Sequence, residues 1–589
     1  MKTLLRTITM NDLAAIYQRG QELSPASYLN DRKCIQRARR NAKKTGIWDD
    51  ITAGLDPTKD IPGFRRSDFR NYQRNGNRTI HQNKEGERRR ELSLAFTALW
   101  LNHPSAHLDY LQDLLWAYCD DFTWVMAAHE GRSIDLGSSM LAASLSEILH
   151  VLGDKLEDEV RERVSSEIEK RIFQNFWNYR NVDFWKTIRM NWNHVCNGEI
   201  IRTALYEIEE PSILAQMTHG AIQNMTYAID GFTDDGGCEE GPAYWAYGFG
   251  HYLFTAHALY LKTGGELNIM QGEKIERICR YPLAAHIEGS FRSTFADSSH
   301  GYIPYRHARI INEFYDIPEL YELCSTRPDR SLKIVENHEL ALYDGRKASG
   351  KPDNRDYLLP DLGQVKLRGE PGPKQMTVLA LAGNNGVPHN HNDIGSFIVY
   401  RHGKLHLVDP GGPVYTKKTF SSRRYEILHC NSLGHSVPII NGRQQKAGAE
   451  FFGTLKVENL NGEGTKTAAI DMSHAYPKGT VKSLLRTVEL DSSSNRLTLE
   501  DAYAFSRKPR SIEEAFITFE NARIIAKGRE VRLGTKANGL TVRAKAEGTF
   551  SVHRMEEESK EGRGGEVVTR IVFTPSKLDK EMVLAFEVG

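Results

Sequence analysis

The segment from Pro388 to Gly442 reads PHNHNDIGSFIVYRHGKLHLVDPGGPVYTKKTFSSRRYEILHCNSLGHSVPIING, and it holds the densest set of groups able to do chemistry. His389 and His391 alternate, so on an extended strand both rings project from one side. The apolar run LHLV ends in Asp409, followed by the turn signal Pro-Gly-Gly, and His435 lies in a polar loop before the apolar run VPII. Two histidines and a carboxylate, His391, Asp409 and His435, form a donor set for one divalent ion, with zinc and manganese the best matches. The same letters also read as surface histidines and a turn aspartate.

Three further groupings matter. In MNWNHVCNGEI, Asn191, Asn193, His194 and Asn197 crowd the start of a buried helix. Such amides and imidazoles must be hydrogen-bonded when buried. They read as a satisfied polar network or as donors that hold and neutralise a carboxylate. In DGFTDDGGCEEGPAYWAYGFGHY a Gly-rich loop opens into a helix whose first turns carry Tyr244 and Tyr247. A tyrosine there is a packing residue, or a general acid or base if its pKa is brought down from about 10. GERRRELSL supplies Arg88, Arg89 and Arg90, either a solvated helix face or planar forks for sulfate or carboxylate groups, with Arg89 and Arg90 the substrate-binding candidates. HEGRSIDLG, with His129, Glu130 and Arg132, is a weaker site of the same kind. There is no phosphate-binding glycine loop, no G-x-S-x-G elbow and no dinucleotide fingerprint. Glu239, Glu240 and Asp235 leave an acid-pair glycosidase open as an alternative.

The elements that must position these residues fall into two blocks. Up to about residue 330 the text alternates amphipathic helices with short turns, as in ELSLAFTALWLNHP, SIDLGSSMLAASLSEILHVLGDKL and MTHGAIQNMTYAIDGF. Arrays of helix hairpins of this kind close into solenoids or toroids. GEKIERICR reads as polar loop or surface material. After about residue 335 short alternating runs take over, among them QVKLRG, MTVLALAG, TLKVENLNG and SLLRTVELDSSSNRLTLEDAYAF. Helices first and strands second imply two segregated domains, residues 1–335 and 336–589, the second an antiparallel β-sandwich.

Composition narrows the function classes. Lys and Arg number 77 against 76 Asp and Glu, so no whole-molecule field draws the chain to nucleic acid or membrane, and an anionic ligand must be met by local clusters. Seven dispersed cysteines without a CxxC pair argue against a disulfide framework and for a reducing compartment. Arg6, Asn11 and Asp12 interrupt the N-terminal apolar run, so neither a signal peptide nor a spanning segment is read, and the expected location is cytoplasmic.

HNHND-x-GSF, VDPGG-x-x-Y, TFSSRRY and the S-x-x-H-S-x-P-x-ING close resemble the C-terminal half of the heparinase II/III-like polysaccharide lyases. NWN-x-V-x-N-G and EGP-x-YW-x-YG extend the resemblance into the first half, in the right order. The resemblance implies an N-terminal (α/α) toroid followed by an antiparallel β-sandwich, and β-elimination on uronic-acid glycans such as heparan, chondroitin, hyaluronan or alginate. By the same resemblance Asn193 and His194, with Asn191 as alternative, neutralise the substrate carboxylate. Tyr247, or else Tyr244, serves as acid or base with His389 as partner base. Arg424 and Tyr425 contact substrate, and His391, Asp409 and His435 hold a structural metal that pins the loop carrying His389. Where some relatives place a Glu one turn after the neutralising His, this chain has Asn197, so substrate preference does not transfer. A non-catalytic glycan-binding protein on the same scaffold is the remaining alternative.

Overall fold

The computed structural model describes residues 4–61, 63–178, 180, 183–325, 336–347 and 353–589. The expected domain boundary at residue 335 falls at the end of 326–335, which lie outside them.

The chain divides into two compact units. The first comprises residues 1–231, 245–276 and 302–349, and the second 232–244, 277–301 and 350–589. Two short excursions of the helical half therefore belong to the strand-rich unit, a connectivity that no local pattern announces.

The helical unit is an (α/α) toroid built from antiparallel hairpins. Its central member, Asn191–Glu207, is buried on nearly every side, against Leu136–Leu152, Pro211–Ile229 and Gly250–Lys262. A helix enclosed on all faces cannot show a polar stripe, which is why its polar residues are interior ones. They are paired in kind: Arg202 donates to Glu199 and Glu147, and His251 Nδ1 lies 2.5 Å from Glu199 Oε1. His338 Nε2 completes the network at 2.7 Å from Glu147 Oε2. Leu136–Lys155 is long and apolar enough to cross a membrane, but 67% of its apolar window is buried inside the protein.

The strand-rich unit stacks antiparallel sheets into a sandwich. A five-stranded meander consists of β1 (Tyr357–Leu359), β2 (Gln364–Arg368), β3 (Thr377–Leu381), β4 (Phe397–Arg401) and β5 (Lys404–Leu407). Every residue of β2 is buried, because both faces of this sheet are covered. One face packs Val365, Val378, Phe397 and Val399 into the main core, and the other sets Leu379 and Ile398 against Ile287 and Phe295. The facing eight-stranded sheet includes β6 (Thr454–Glu458), β7 (Thr465–Asp471), β8 (Ser483–Asp491), β9 (Arg496–Ala504) and Glu581–Val588. In β8 and β9 buried and outward residues alternate, the signature of a sheet with one wet face.

Two expectations need correction. GEKIERICR is not loop: Glu273–Ala285 is a helix that buries Ile275, Ile278 and Cys279, whose spacing marks one face. His389 and His391 do not lie on a strand. They occupy a turn ahead of β4, and His389 takes the left-handed conformation with φ of 59°. No disulfide joins the cysteines, all of which are among the described residues.

Candidate functional site

The strand-rich unit gathers the site around a residue that sequence reasoning passed over, Asp297. Its carboxylate is fully buried, with four groups converging on it. Oδ2 faces His389 Nδ1 at 2.8 Å and accepts from the Tyr415 hydroxyl at 2.9 Å. Oδ1 faces His391 Nε2 at 3.0 Å and accepts from Arg424 Nη2 at 2.7 Å. Burial alone would push this carboxyl up. The hydrogen bonds from His389 and His391, with the charges of His391 and Arg424, outweigh it and hold Asp297 well below the usual carboxylate range. The two rings of the HNH motif do face one group, but through a turn and not through strand alternation.

The turn Pro410-Gly411-Gly412 brings this about. Gly411 has φ of 70°, and a Cβ there would lie 2.8 Å from Ser298 O. A Cβ on Gly412 would meet the Asp297 backbone at 3.0 Å. Glycine is thus required where the segment after Asp409 presses on the Asp297 turn. Gly412 N donates to Ser298 O at 3.1 Å, and Thr294 Oγ1 to Asp409 O at 2.9 Å.

Around His389 lies a shell of aromatic and charged groups. The Tyr244 ring stacks on the imidazole with centroids 4.3 Å apart and planes 18° from parallel. The hydroxyls of Tyr244 and Tyr415 are hydrogen-bonded to each other, and Arg563 lies 3.9 Å over the Tyr415 ring. Burial pushes Tyr244 up to about 12, and Tyr415 rises further through burial and the Asp297 charge. Both phenols are therefore neutral near pH 7, suited to donate a proton. His389 Nε2 is 3.3 Å from Glu240 Oε2.

Other candidates are placed differently. Arg424 is mostly buried, spending its guanidinium on Asp297 and on the carbonyls of His389 and Asn390. It acts as an internal clamp, and Tyr425 donates to Asn390 Oδ1 at 2.6 Å beside it. Asp235 caps a turn, accepting from Gly237, Asp361 and Leu362 backbone nitrogens, which ties up both carboxylate oxygens.

In the helical unit Asn193 is 0% and His194 1% exposed. Both Nδ2 hydrogens of Asn193 go to Lys186 O and Asn224 O at 3.0 Å, so donating to a carboxylate would require one of them to be released. Burial pushes His194 down to about 3, leaving a neutral imidazole. Asn191 is buried at the start of the same helix. Tyr247 sits in a π-helical turn, Trp245–Phe249, edge-on to His251 at 5.3 Å. The three arginines of the RRR run diverge. Arg88 is buried in an ion pair with Asp121, Arg89 pairs with Glu85, and Arg90 is exposed.

His391, Asp409 and His435 lie together, joined by Asp393, which the spacing argument did not single out although it stands two residues from His391. One ligand atom from each falls within 4.8 Å of the others. His435 Nδ1 is 2.9 Å from Asp409 Oδ2, while His391 Nδ1 and Asp393 Oδ2 are buried with no hydrogen-bond partner. Burial and the neighbouring Asp409 charge push Asp393 up, a strain that a bound cation relieves. Two imidazoles and two carboxylates with orphaned atoms turned to one point fit a divalent ion.

A family model described as heparinase II/III-like, C-terminal, matches residues 351–582. Over those residues the chain is similar to the C-terminal domain of the heparinase II/III-like proteins. No curated protein matches the sequence. Among solved structures, a heparinase III gene product is similar over 98% of this chain and 92% of its own, at 12% identity and TM-score 0.62. A heparan sulfate lyase mutant from Pedobacter heparinus covers 98% of this chain and 88% of its own, at 13% identity and TM-score 0.59. A chondroitin AC lyase mutant from Streptomyces coelicolor covers 99% and 82%, at 11% identity and TM-score 0.51. At these identities the likeness is one of fold, and it extends across both units of the chain.

Proposed function

We propose that this chain is a polysaccharide lyase that cleaves uronic-acid-containing glycans by β-elimination. The supporting observation is the group formed by His389, Asp297, Tyr415 and Tyr244, in a chain with a heparinase II/III-like domain. The glycans named for similar lyases, heparan sulfate and chondroitin, and equally hyaluronan or alginate, meet the chemical requirement of a carboxylate on C5.

In this reading a base takes the C5 proton, the C5–H electron pair becomes the C4–C5 double bond, and the C4–O4 bond breaks. O4 leaves with a proton from an acid. With Nδ1–H held by Asp297, Nε2 of His389 is the atom that accepts the C5 proton. Glu240, 3.3 Å away, stabilises the imidazolium that forms. Tyr244, a neutral phenol, supplies the proton to O4, and Tyr247 is the alternative donor. Charge building on the substrate carboxylate must be neutralised for the C5 proton to leave at all, a role assigned to Asn193 and His194. Asn191, Arg89, Arg90 and Tyr425 are the proposed substrate contacts, while Arg424 supports the site from within. Residues 1–335, apart from the excursions 232–244 and 277–301, would form the toroid, and 336–589 the sandwich of the same enzyme. His391, Asp393, Asp409 and His435 would hold one zinc or manganese ion. When bound, the ion fixes the turn that carries His389.

The test is to incubate the purified chain with heparan, chondroitin, hyaluronan and alginate and follow ultraviolet absorbance of the unsaturated uronate. Cleavage of any of them with that absorbance supports the proposal. New reducing ends without it would mean hydrolysis and would sink it.

A further inference from the structure

A second feature of the strand-rich unit lies apart from Tyr244, Tyr415 and Arg563. A pocket of about 600 Å3, counted with its open mouth, is walled by Glu239, Tyr281, Ser293 and their neighbours Cys238, Gly241, Phe295 and Ala296, and by parts of 361–387. It ends on Asn390, His391 and Asp393. Asp361 in its wall is exposed and Val387 half-buried, whereas His391 and Asp393 are buried, so the pocket runs from the surface to the ion cluster.

Five side-chain atoms of the wall have no hydrogen-bond partner: Ser293 Oγ, Gln364 Nε2, Asn385 Oδ1, His391 Nδ1 and Asp393 Oδ2. Their residues are at most 4% exposed. Each such atom costs about 1–3 kcal/mol unless water or an ion satisfies it, so a pocket lined by several of them and open to the surface is hydrated. The wall carries three carboxylates, Glu239, Asp361 and Asp393, and neither Lys nor Arg. Burial, and then the adjacent Glu240, push the Glu239 carboxyl up, so a passing cation is welcome there. The group around His389, by contrast, contains Arg424 and Arg563.

On its other sides the cluster is closed by protein. His391 Nε2 is against Asp297, His435 Nε2 is 3.0 Å from His429 O, and Asp409 Oδ1 accepts from Gly411 N at 2.9 Å. Of the four ligand residues only His391 and Asp393 line the pocket.

We propose that this pocket is the port through which the divalent ion reaches and leaves His391, Asp393, Asp409 and His435. The inference rests on the reading of those residues as a metal site. Carboxylates at the wall concentrate cations and turn polyanions away. Ser293 and Asn385 offer oxygen atoms that replace hydration water as the ion moves inward.

The test uses the full chain loaded with zinc, chased with isotopically enriched zinc and sampled over time by mass spectrometry. Val387→Trp places an indole in the passage, and Glu239→Gln removes a wall charge without adding bulk. The expected result is unchanged zinc stoichiometry with exchange slowed about tenfold or more in Val387→Trp, and slowed to a lesser degree in Glu239→Gln. Unchanged or faster exchange in a zinc-loaded variant overturns the port, and Glu239→Gln decides it if Val387→Trp does not fold. A wild-type chain that takes up no stoichiometric zinc or manganese overturns the metal site itself, a result distinct from the first.

Discussion

At the scale of single residues, Asp297 accounts for why a turn carries two histidines with different tasks. One oxygen serves His391, which faces the ion cluster, and the other serves His389 and Tyr415. Asp297→Asn keeps the shape but leaves the Arg424 guanidinium buried without its counter-charge, and removing one partner of a buried pair costs about 3–5 kcal/mol. A clear fall in melting temperature is expected, and an unchanged one would show that Arg424 is satisfied by the two carbonyls alone. Tyr244→Phe should lower turnover by about 10²-fold or more with folding intact, as for loss of a general acid. Were Tyr244→Phe near normal and Tyr247→Phe crippled, the acid would be Tyr247. The histidines and Asp409 were legible in the sequence because metal-ligand types recur there at strand and turn signals. Asp297 was not, since a lone aspartate in ADSSH carries no spacing signal and reaches His389 only through the tertiary fold. Tyr415 stood inside a recognisable motif, yet its letters gave no hint that its hydroxyl would bridge Asp297 and Tyr244.

At the scale of elements, the loops of the ion cluster are tied to the sandwich by Arg486 on β8. Its guanidinium is buried, binds Asp501 of β9 through Nε at 2.8 Å, and donates to Gly395 O at 2.8 Å and Ser436 O at 2.6 Å. Those carbonyls follow Asp393 and His435, so Arg486→Met should cost about 3–5 kcal/mol through the stranded Asp501 and reduce bound metal as well. Full metal content in a destabilised Arg486→Met protein would separate the anchor from the site. In the helical unit Glu147 is the sensitive group. Burial raises its carboxyl, but His338 and Arg202 outweigh that and hold it at about 2. A depressed folded value gives stability that is present above the unfolded carboxylate pKa of about 4.3 and is lost as pH falls toward the folded one. Melting temperature should therefore drop between those values, and Glu147→Gln, less stable at neutral pH, should show a flatter profile. An identical profile would remove Glu147 as the cause. Helix and strand types were readable from apolar period, whereas the helix Glu273–Ala285 was missed because charged residues crowd its outer face. The HNH turn was misread because alternation by two in the letters is shared by strands and by a turn with one left-handed residue.

For the whole molecule, the order of a helical toroid before a sandwich was readable from the change of period near residue 335. The two excursions, 232–244 and 277–301, were not, because membership in a unit is set by distant contacts and not by local composition. Those excursions supply Glu240, Tyr244 and Asp297 to the strand-rich unit, so His389 and its neighbours form one group there although they are far apart in the chain. If the ion's binding energy is also folding energy, chelation of the intact chain should lower its melting temperature, and restoring zinc or manganese should recover it. A melting curve indifferent to chelator, in a protein shown to contain metal beforehand, would make the ion dispensable for folding.

The most direct test of the account compares wild type, His389→Ala and His391→Ala for three quantities in the same preparations: ultraviolet appearance of unsaturated uronate, bound metal and melting temperature. The account predicts that wild type eliminates, that His389→Ala keeps metal and melting temperature while turnover falls about 10²-fold or more, and that His391→Ala loses all three together. Wild-type turnover in His389→Ala, or loss of metal from it, would contradict the assignment of His389 as the base.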